Sequence, residues 1–161
     1  MDTIPPVSRI LTDRGITHQV FRHHGPVESL EQAALERDQN PDQIVRSIVF
    51  RLGKGNFFMV LVAGSYQISW QCLRTHFSQS RLTLANDDEV FQVTGYQPGA
   101  VSPFGLVLPM KIIADVGVFT PDEISIGSGE RGIAIIMKSS DLIAALEGIE
   151  VGKFVSQDNQ A

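Results

Sequence analysis

Apolar residues concentrate in two runs near the middle of the chain. Ile44–Leu52 are rich in β-branched side chains, and Phe57–Gly64 form a second, almost continuous apolar run. The residues between them, Gly53-Lys54-Gly55-Asn56, are typical of a tight turn. This pattern predicts a central β-hairpin.

Shorter segments on both sides of this hairpin predict further strands and helices. The two are distinguished by apolar spacing and by capping residues. No regular strand–helix–strand rhythm links them, which favours an α+β fold with a mixed β-sheet. Strands are predicted at Thr17–Arg22, Arg81–Ala85, Lys111–Asp115, Glu123–Ile126 and Gly132–Lys138. Helices are predicted from Val7 to Gly15, from Ser29 (in a capping box with Gln32) to Asn40, from Ser69 through Phe77, from Asn86 to Gly95, and from a Ser139–Asp141 cap through Leu146.

Length and composition indicate one folded domain. The 161 residues are 43% hydrophobic and 19% charged, so we expect a single domain over residues 1–156 and a frayed polar tail over 157–161. The single cysteine, Cys72, excludes an internal disulfide framework and a multi-cysteine zinc site. No apolar run approaches the ~20 residues of a membrane span. Because the N-terminus also lacks a signal-peptide pattern, we expect a cytoplasmic protein without a membrane partner.

The formal net charge of −5 restricts the partners of the chain. Broad nucleic-acid binding requires many Lys and Arg side chains to neutralise phosphates. DNA is therefore not an expected partner, and an RNA would have to meet a local basic patch.

Two patterns that suggest a cofactor or a metal have simpler explanations. Gly127–Gly132 match G-x-G-x-x-G, but a strand pattern follows where a dinucleotide-binding turn needs a helix. We therefore predict a glycine-rich hairpin turn and no cofactor. His18, His23 and His24 lack a ligand-like spacing, so they are expected on the surface or at the rim of a site, with no metal.

Arg46 and the glycine- and proline-rich loop at 94–105 each have two interpretations. On an alternating strand, Arg46 shares a face with Ile44, Ile48, Phe50 and Leu52. Its head either reaches water over this apolar surface or lines a cleft and meets an anionic or carbonyl ligand. The loop is either a rigid surface connection or a segment that presents backbone groups to a ligand.

Three segments resemble the YbaK/prolyl-tRNA synthetase-associated domain family. They are NPDQIVRSIVF (Asn40–Phe50), TGYQPGAVSPFG (Thr94–Gly105) and SGERGIAI (Ser128–Ile135). The resemblance runs from about Val7 to Leu146. It implies a curved, partly barrel-like mixed sheet flanked by helices, and an enzyme that hydrolyses mischarged aminoacyl-tRNA.

The resemblance also implies a set of site residues. The family's G-x-x-x-P signature falls on Gly99–Pro103, where the glycine backbone helps to hold the ester carbonyl. The family lysine is replaced by Arg46, and an aspartate by Ala134. The catalytic residues implied are Arg46 and Gly99, and the substrate-binding residues implied are Ser47, Ser102, Pro103, Gly127, Ser128 and Ala134.

Arg46 cannot readily lose its proton, so it suits an electrostatic clamp better than a general base. We expect it to bind the phosphate of the tRNA 3′-terminal nucleotide or the developing oxyanion. Binding of the tRNA 3′ end is expected to be weak and transient, and a synthetase partner would strengthen it. The alternative is a non-catalytic module that senses tRNA or an amino acid, because Arg46 and Ala134 depart from the family pattern.

Overall fold

Strands and helices alternate without a repeating order in the computed structural model, which describes residues 3–156. The tail predicted at 157–161 lies outside the described residues. The strands are β1 (Gln19–Arg22), β2 (Val45–Leu52), β3 (Asn56–Ala63), β4 (Leu82–Leu84), β5 (Lys111–Asp115), β6 (Glu123–Gly127), β7 (Ile133–Lys138) and β8 (Glu150–Gly152). The helices are α1 (Pro6–Asp13), α2 (Leu30–Glu36), α3 (Trp70–Phe77), α4 (Asp87–Thr94) and α5 (Ser139–Ala145), with short 3-10 turns at Pro41–Gln43 and Val116–Phe119. None of the described helices is long and apolar enough to cross a membrane.

The strands form two sheets that pack against each other. The larger sheet has the order β4-β2-β3-β5-β8, in which β5 runs parallel to β3 and β8, and the other pairs are antiparallel. The smaller sheet, β1-β7-β6, is antiparallel. A parallel bridge between Ile44 and Ser125 joins them. The predicted α+β fold with a mixed sheet is confirmed, although the sheets do not close into a barrel.

The predicted hairpin is the centre of the larger sheet, and both of its faces are covered. β2 and β3 pair over their full length, from Val45 opposite Ala63 to Leu52 opposite Asn56. Met59 and Leu61 face the core between the two sheets, whereas Phe58 and Val60 face the core under α3. Burial on both faces explains why almost every residue of the second apolar run is apolar.

Two helix starts differ from the prediction. Ser139 is the first residue of α5, and its hydroxyl donates to the carbonyl of Pro121 (2.6 Å) instead of capping the helix. Ser29 does cap α2, because its Oγ accepts from the Gln32 N–H (3.0 Å). The Gln32 side chain, however, accepts from the N–H of Glu28 (3.0 Å), so the reciprocal bond predicted for a capping box is absent.

Candidate active site

The first half of β2 has an open outer edge. β4 pairs with β2 only over Phe50–Leu52, and β6 meets it only at the bridge next to its first residue. This edge borders a cleft of about 1180 Å³, whose wall is completed by β6, β7, the segment after β1 and the loop at 98–101. The volume is comparable to that of small-molecule sites.

The cleft is basic although the chain is acidic. Four of the 13 Lys and Arg side chains line it, together with two histidines, and no Asp or Glu is present among the lining residues within 3–156. A wall of one charge sign attracts anions to a cleft. It therefore supplies the local basic patch that an acidic chain needs for an RNA partner. The charged and titratable lining residues are Arg22, His23, His24, Arg37, Arg46 and Arg131.

Arg46 lines this cleft, and its head group is already hydrogen-bonded within the protein. Its Nε donates to the carbonyl of Gly64 (2.7 Å), and its Nη2 donates to the carbonyl of Tyr66. Burial lowers the pKa of the guanidinium, which nevertheless stays protonated. Both earlier interpretations were incomplete, because the ligands found are carbonyls of the protein itself. These bonds use the Nε edge of the guanidinium, whereas Nη1 has no protein partner in the described part of the chain.

Ser47 offers three hydrogen-bonding groups beside Arg46. The carbonyl of Val49 accepts from the N–H of Ala85 on the outer side of β2. The carbonyl of Ile44 accepts from the N–H of Gly64 on the opposite side, which faces β3. Since backbone groups alternate along a strand, Ser47 points its N–H and C=O to the open edge. Its Oγ is buried and has no partner among the described residues. A buried hydroxyl without a partner is costly, which indicates a place for a ligand or water atom.

Gly99 lies in a tight turn at the mouth of the cleft. Ala100 N–H donates to the carbonyl of Gln97 (3.0 Å), and Gly99 has φ +89°, as the third position of a type II turn requires. Arg131 packs about 3.9 Å from the position of a Gly99 Cβ and donates from Nε to the carbonyl of Pro98 (2.8 Å). The loop is thus a rigid segment with an exposed backbone beside a cation.

Gly127 allows the same loop to approach the smaller sheet. A Cβ at Gly127 would lie 2.1 Å from the carbonyl oxygen of Val101. Two residues further along the turn, the N–H of Gly129 donates to the carbonyl of Ala100 (3.0 Å). Ala134, opposite Gly127 in the pairing of β6 with β7, is buried and lines the cleft. The glycine-rich segment is a hairpin turn, as predicted.

The other three residues implied by the resemblance lie outside the cleft lining. Ser102 is fully buried, and its Oγ accepts from the N–H of Phe104 (3.2 Å). Pro103 is buried beside it. Ser128 is fully buried, and its hydroxyl bonds backbone groups of its own turn, including the carbonyl of Ile133 (2.7 Å). In this arrangement their contacts shape the loop and the turn that carry Gly99 and Gly127.

A cluster around His23 was missed from the sequence. Of the two positions expected for this residue, the open surface is excluded, because its side chain lines the cleft and is only 1% exposed. Its Nδ1 lies 2.6 Å from Glu36 Oε1, and its Nε2 accepts from Arg37 Nε (3.0 Å). Arg37 Nη1 in turn donates to Ser125 Oγ (2.9 Å). No local pattern reveals this cluster, because it joins the segment after β1, the end of α2 and β6.

Comparison with known families and structures identifies the fold and its lineage. The sequence profile described as "Aminoacyl-tRNA editing domain" matches residues 24–145, which include all the segments that line the cleft except Arg22 and His23. The chain belongs to this family. The resemblance noted in the sequence is thereby confirmed.

Relatives of the editing domain include segments of much longer proteins. A proline–tRNA ligase of Trichlorobacter lovleyi is 33% identical over 86 residues, which are 53% of this chain and 15% of the ligase. A proline–tRNA ligase of Staphylococcus saprophyticus is 28% identical over 110 residues, which are 68% of this chain and 19% of the ligase. The chain therefore spans less than a fifth of the length of these two relatives.

Solved structures share the fold of this editing domain. One is described as a candidate trans-editing enzyme for prolyl tRNA synthetase, with a TM-score of 0.84 and 23% identity, and the match covers 96% of this chain and 99% of that one. A second, from Marinobacter aquaeolei, is described as a candidate signal transduction protein, with a TM-score of 0.70 and 13% identity. It covers 99% of this chain and 32% of that one. At these identities the likeness concerns the fold alone.

Proposed function

We propose that this editing-domain protein is an aminoacyl-tRNA deacylase that hydrolyses the ester of a mischarged aminoacyl-tRNA in trans. The observation that carries the proposal is the cleft itself, which in an acidic chain is lined by four arginines and by no carboxylate of residues 3–156. Membership in the editing-domain family supports an aminoacyl-tRNA as the substrate of this basic cleft. The charged 3′ end of tRNA combines a phosphate, a ribose and an ester carbonyl, which are the groups that these side chains and backbone groups suit.

Arg46 acts in this proposal through its charge and its remaining Nη1. The two carbonyls fix the guanidinium, so it need not reorganise when negative charge develops on the ester oxygen. Preorganised electrostatic stabilisation of this kind lowers the activation free energy by a few kcal/mol. The exposed backbone at Gly99 and the Ser47 N–H at the open edge are the neutral groups that orient the carbonyl.

The reaction needs no nucleophilic side chain. A water oxygen attacks the carbonyl carbon, and the bond between that carbon and the ribose oxygen breaks. The proton of the water passes to the ribose oxygen with help from the neighbouring ribose hydroxyl, which leaves a free amino acid and a tRNA with its 3′ end restored. Arg46 is not the base in this scheme, because its guanidinium keeps its proton.

Recognition of tRNA is confined to its 3′ end in this proposal. Four arginines line the cleft in the described part of the chain, which is few for a grip on RNA, so the chain by itself binds the tRNA weakly and transiently. A synthetase that holds the body of the tRNA would raise the local concentration of the charged end. A cytoplasmic location, where tRNA is charged, stays a prediction.

The direct test is deacylation of Pro-, Ala-, Cys-, Ser- and Thr-charged tRNAs. We expect turnover of at least one of them, loss of turnover in Arg46→Ala and partial turnover in Arg46→Lys. Arg74→Ala is the matched control, since it removes the same charge from an exposed position of α3. Thermal unfolding of each variant separates loss of the clamp from loss of the two bonds to Gly64 and Tyr66. Hydrolysis by Arg46→Ala at the parent rate would refute the clamp.

A non-catalytic binding module is the second candidate. It is favoured by the commitment of Arg46 to carbonyls of the protein and by the apolar Ala134 in the cleft wall. Measurable binding of tRNA or an amino acid, with no turnover of any charged tRNA, would support the module and refute the deacylase.

A further inference from the structure

Arg37 is the second half-buried guanidinium of the cleft, and side chains hold it in place. It follows the last residue of α2 and reaches across to the smaller sheet. Its Nε donates to His23 Nε2 (3.0 Å), and its Nη1 donates to Ser125 Oγ (2.9 Å). In the part of the chain that the structure describes, Nη2 has no partner, and Arg37 lines the cleft.

The bond from Arg37 determines the protonation of His23. A guanidinium only donates, so His23 Nε2 must accept and the ring proton must lie on Nδ1. That proton is donated to Glu36 Oε1, 2.6 Å away. The imidazole side chain is 1% exposed and also makes an edge contact with Phe21, at 4.9 Å between ring centroids. A carboxylate, a neutral imidazole and a hydroxyl therefore orient the guanidinium from two sides.

The charge of Arg37 is not balanced at the site. Burial lowers the pKa of its guanidinium, and the nearby charge of Glu36 only partly opposes this effect. The groups that bond Arg37 directly are an imidazole and a hydroxyl, and no carboxylate lies within 4 Å of its nitrogens among the described residues. A half-buried cation that no carboxylate bonds directly is costly to keep charged, and a bound anion would reduce that cost.

Arg22 adds a further positive charge to the cleft. It precedes His23 in the sequence, and it lines the cleft together with His23 and His24. A phosphodiester carries a permanent negative charge and calls for a permanent cation. An ester carbonyl, in contrast, can be held by the neutral backbone groups at Gly99 and Ser47.

We propose that Arg37 is the residue that binds the phosphodiester group of the tRNA 3′-terminal nucleotide, and that Glu36, His23 and Ser125 position it. This inference rests on the proposed function for its ligand. It leaves Arg46, which two backbone carbonyls hold beside the open edge of β2, to act at the reacting ester. Two of the four cleft arginines then have separate roles, one at the phosphodiester and one at the ester oxygen where negative charge develops.

The test compares binding of two small probes, adenosine 5′-(methyl phosphate) and adenosine, by titration calorimetry at low salt. The methyl diester has one negative charge that does not titrate near neutral pH. We expect wild-type protein to bind the diester at least about tenfold more tightly, as one charge-assisted hydrogen bond allows. In Arg37→Met this preference should fall to within about twofold. Arg37→Lys should restore part of it, and the control Arg74→Met should keep all of it.

Glu36→Ala provides a second variant that does not depend on a buried substitution. Glu36 is exposed, so the variant is expected to fold, and loss of its bond to His23 should reduce the diester preference severalfold. A merely structural role would weaken binding of both probes equally. Rescue by Arg37→Lys is a further outcome that a structural role does not predict.

Three results would overturn the inference. These are equal binding of the two probes by the wild type, an intact preference in a folded Arg37→Met, and a preference that disappears in Arg46→Met instead. A failure of the proposed function alone is distinguishable from these results. In that case the diester preference would still depend on Arg37, but no charged tRNA would be hydrolysed.

Discussion

Replacement of Gly127 by alanine tests the contact that brings the loop at 98–101 against the smaller sheet. Gly127 is the last residue of β6, and its backbone conformation is one that other residues adopt. The problem is space, because an added Cβ would lie 2.1 Å from the carbonyl oxygen of Val101 and 3.1 Å from the carbonyl carbon of Ala100. Both neighbours are backbone atoms, which cannot rotate away as a side chain can.

The magnitude follows from the movement that the methyl group requires. The loop or the end of β6 must shift by roughly 1 Å, since non-bonded carbon and oxygen atoms do not approach within ~3 Å. Such a shift strains the bond from Gly129 N–H to Ala100. Overpacking against backbone costs about 3 kcal/mol, at the upper end of the usual range. In a domain of this size, that loss lowers Tm by about 6–12 °C.

Thermal and urea unfolding of Gly127→Ala measure the effect, and Gly25→Ala is the matched control. Gly25 also lines the cleft, has an ordinary backbone conformation and has nothing within 4 Å of the Cβ position. We expect the free energy of unfolding of the control to stay within about 1 kcal/mol of wild type. Hydrogen exchange should increase over residues 98–101 in Gly127→Ala only. Equal stability of the two variants would refute the packing argument.

Three further predictions concern the buried hydroxyl, the charged helix start and the charge of the cleft. Ser47→Ala removes a buried hydroxyl that has no partner among the described residues, so unfolding free energy should stay equal or rise by up to about 1 kcal/mol while deacylation falls. A loss of more than 1 kcal/mol would show that the hydroxyl is satisfied in solution. The pKa of Glu89 is lowered, first by the N–H of Asn86 and also by Arg51, which lies 2.8 Å away. Because this pKa is lower in the folded state, the ionised Glu89 stabilises the fold at pH values above its unfolded-state pKa of about 4.3. That stabilisation is lost as the pH falls through the folded-state pKa. The stability difference between wild type and Glu89→Gln should therefore shrink between pH 7 and pH 3, and a constant difference in urea unfolding would contradict this assignment. Finally, the four cleft arginines limit the slope of log K for tRNA against log salt to no steeper than about −3; a steeper slope in filter binding would indicate a larger RNA contact surface.

Local structure was predictable wherever the deciding contacts lie within a few residues. The two apolar runs and the glycine turn between them define the central hairpin, because alternation and turn chemistry are properties of neighbouring residues. The helix start predicted at Asn86 is another case, and in the structure the side chains of Asn86 and Glu89 bond each other's backbone. β8 was missed because its three residues, Glu150–Gly152, acquire strand structure only by pairing with β5.

The candidate site was predictable only in part. The resemblance carried by three sequence segments led to Arg46, Ser47, Gly99, Gly127 and Ala134, all of which line one cleft in the structure. It did not reveal how the head group of Arg46 is bonded. A guanidinium on a flexible stem can reach many partners, and its choice of two carbonyls at the end of β3 depends on the pairing of β2 with β3.

The sequence by itself determined the class of the fold, the family and the acidic balance of the chain. The first two follow from local patterns of residues, and the third follows from composition. The tertiary structure alone decided where the positive charge lies. Arg37 and Ser125 are 88 positions apart and meet because Ile44 and Ser125 join the two sheets. An acidic chain thus has a basic cleft, because folding brings four arginines from different elements to its lining and places none of the carboxylates of residues 3–156 there.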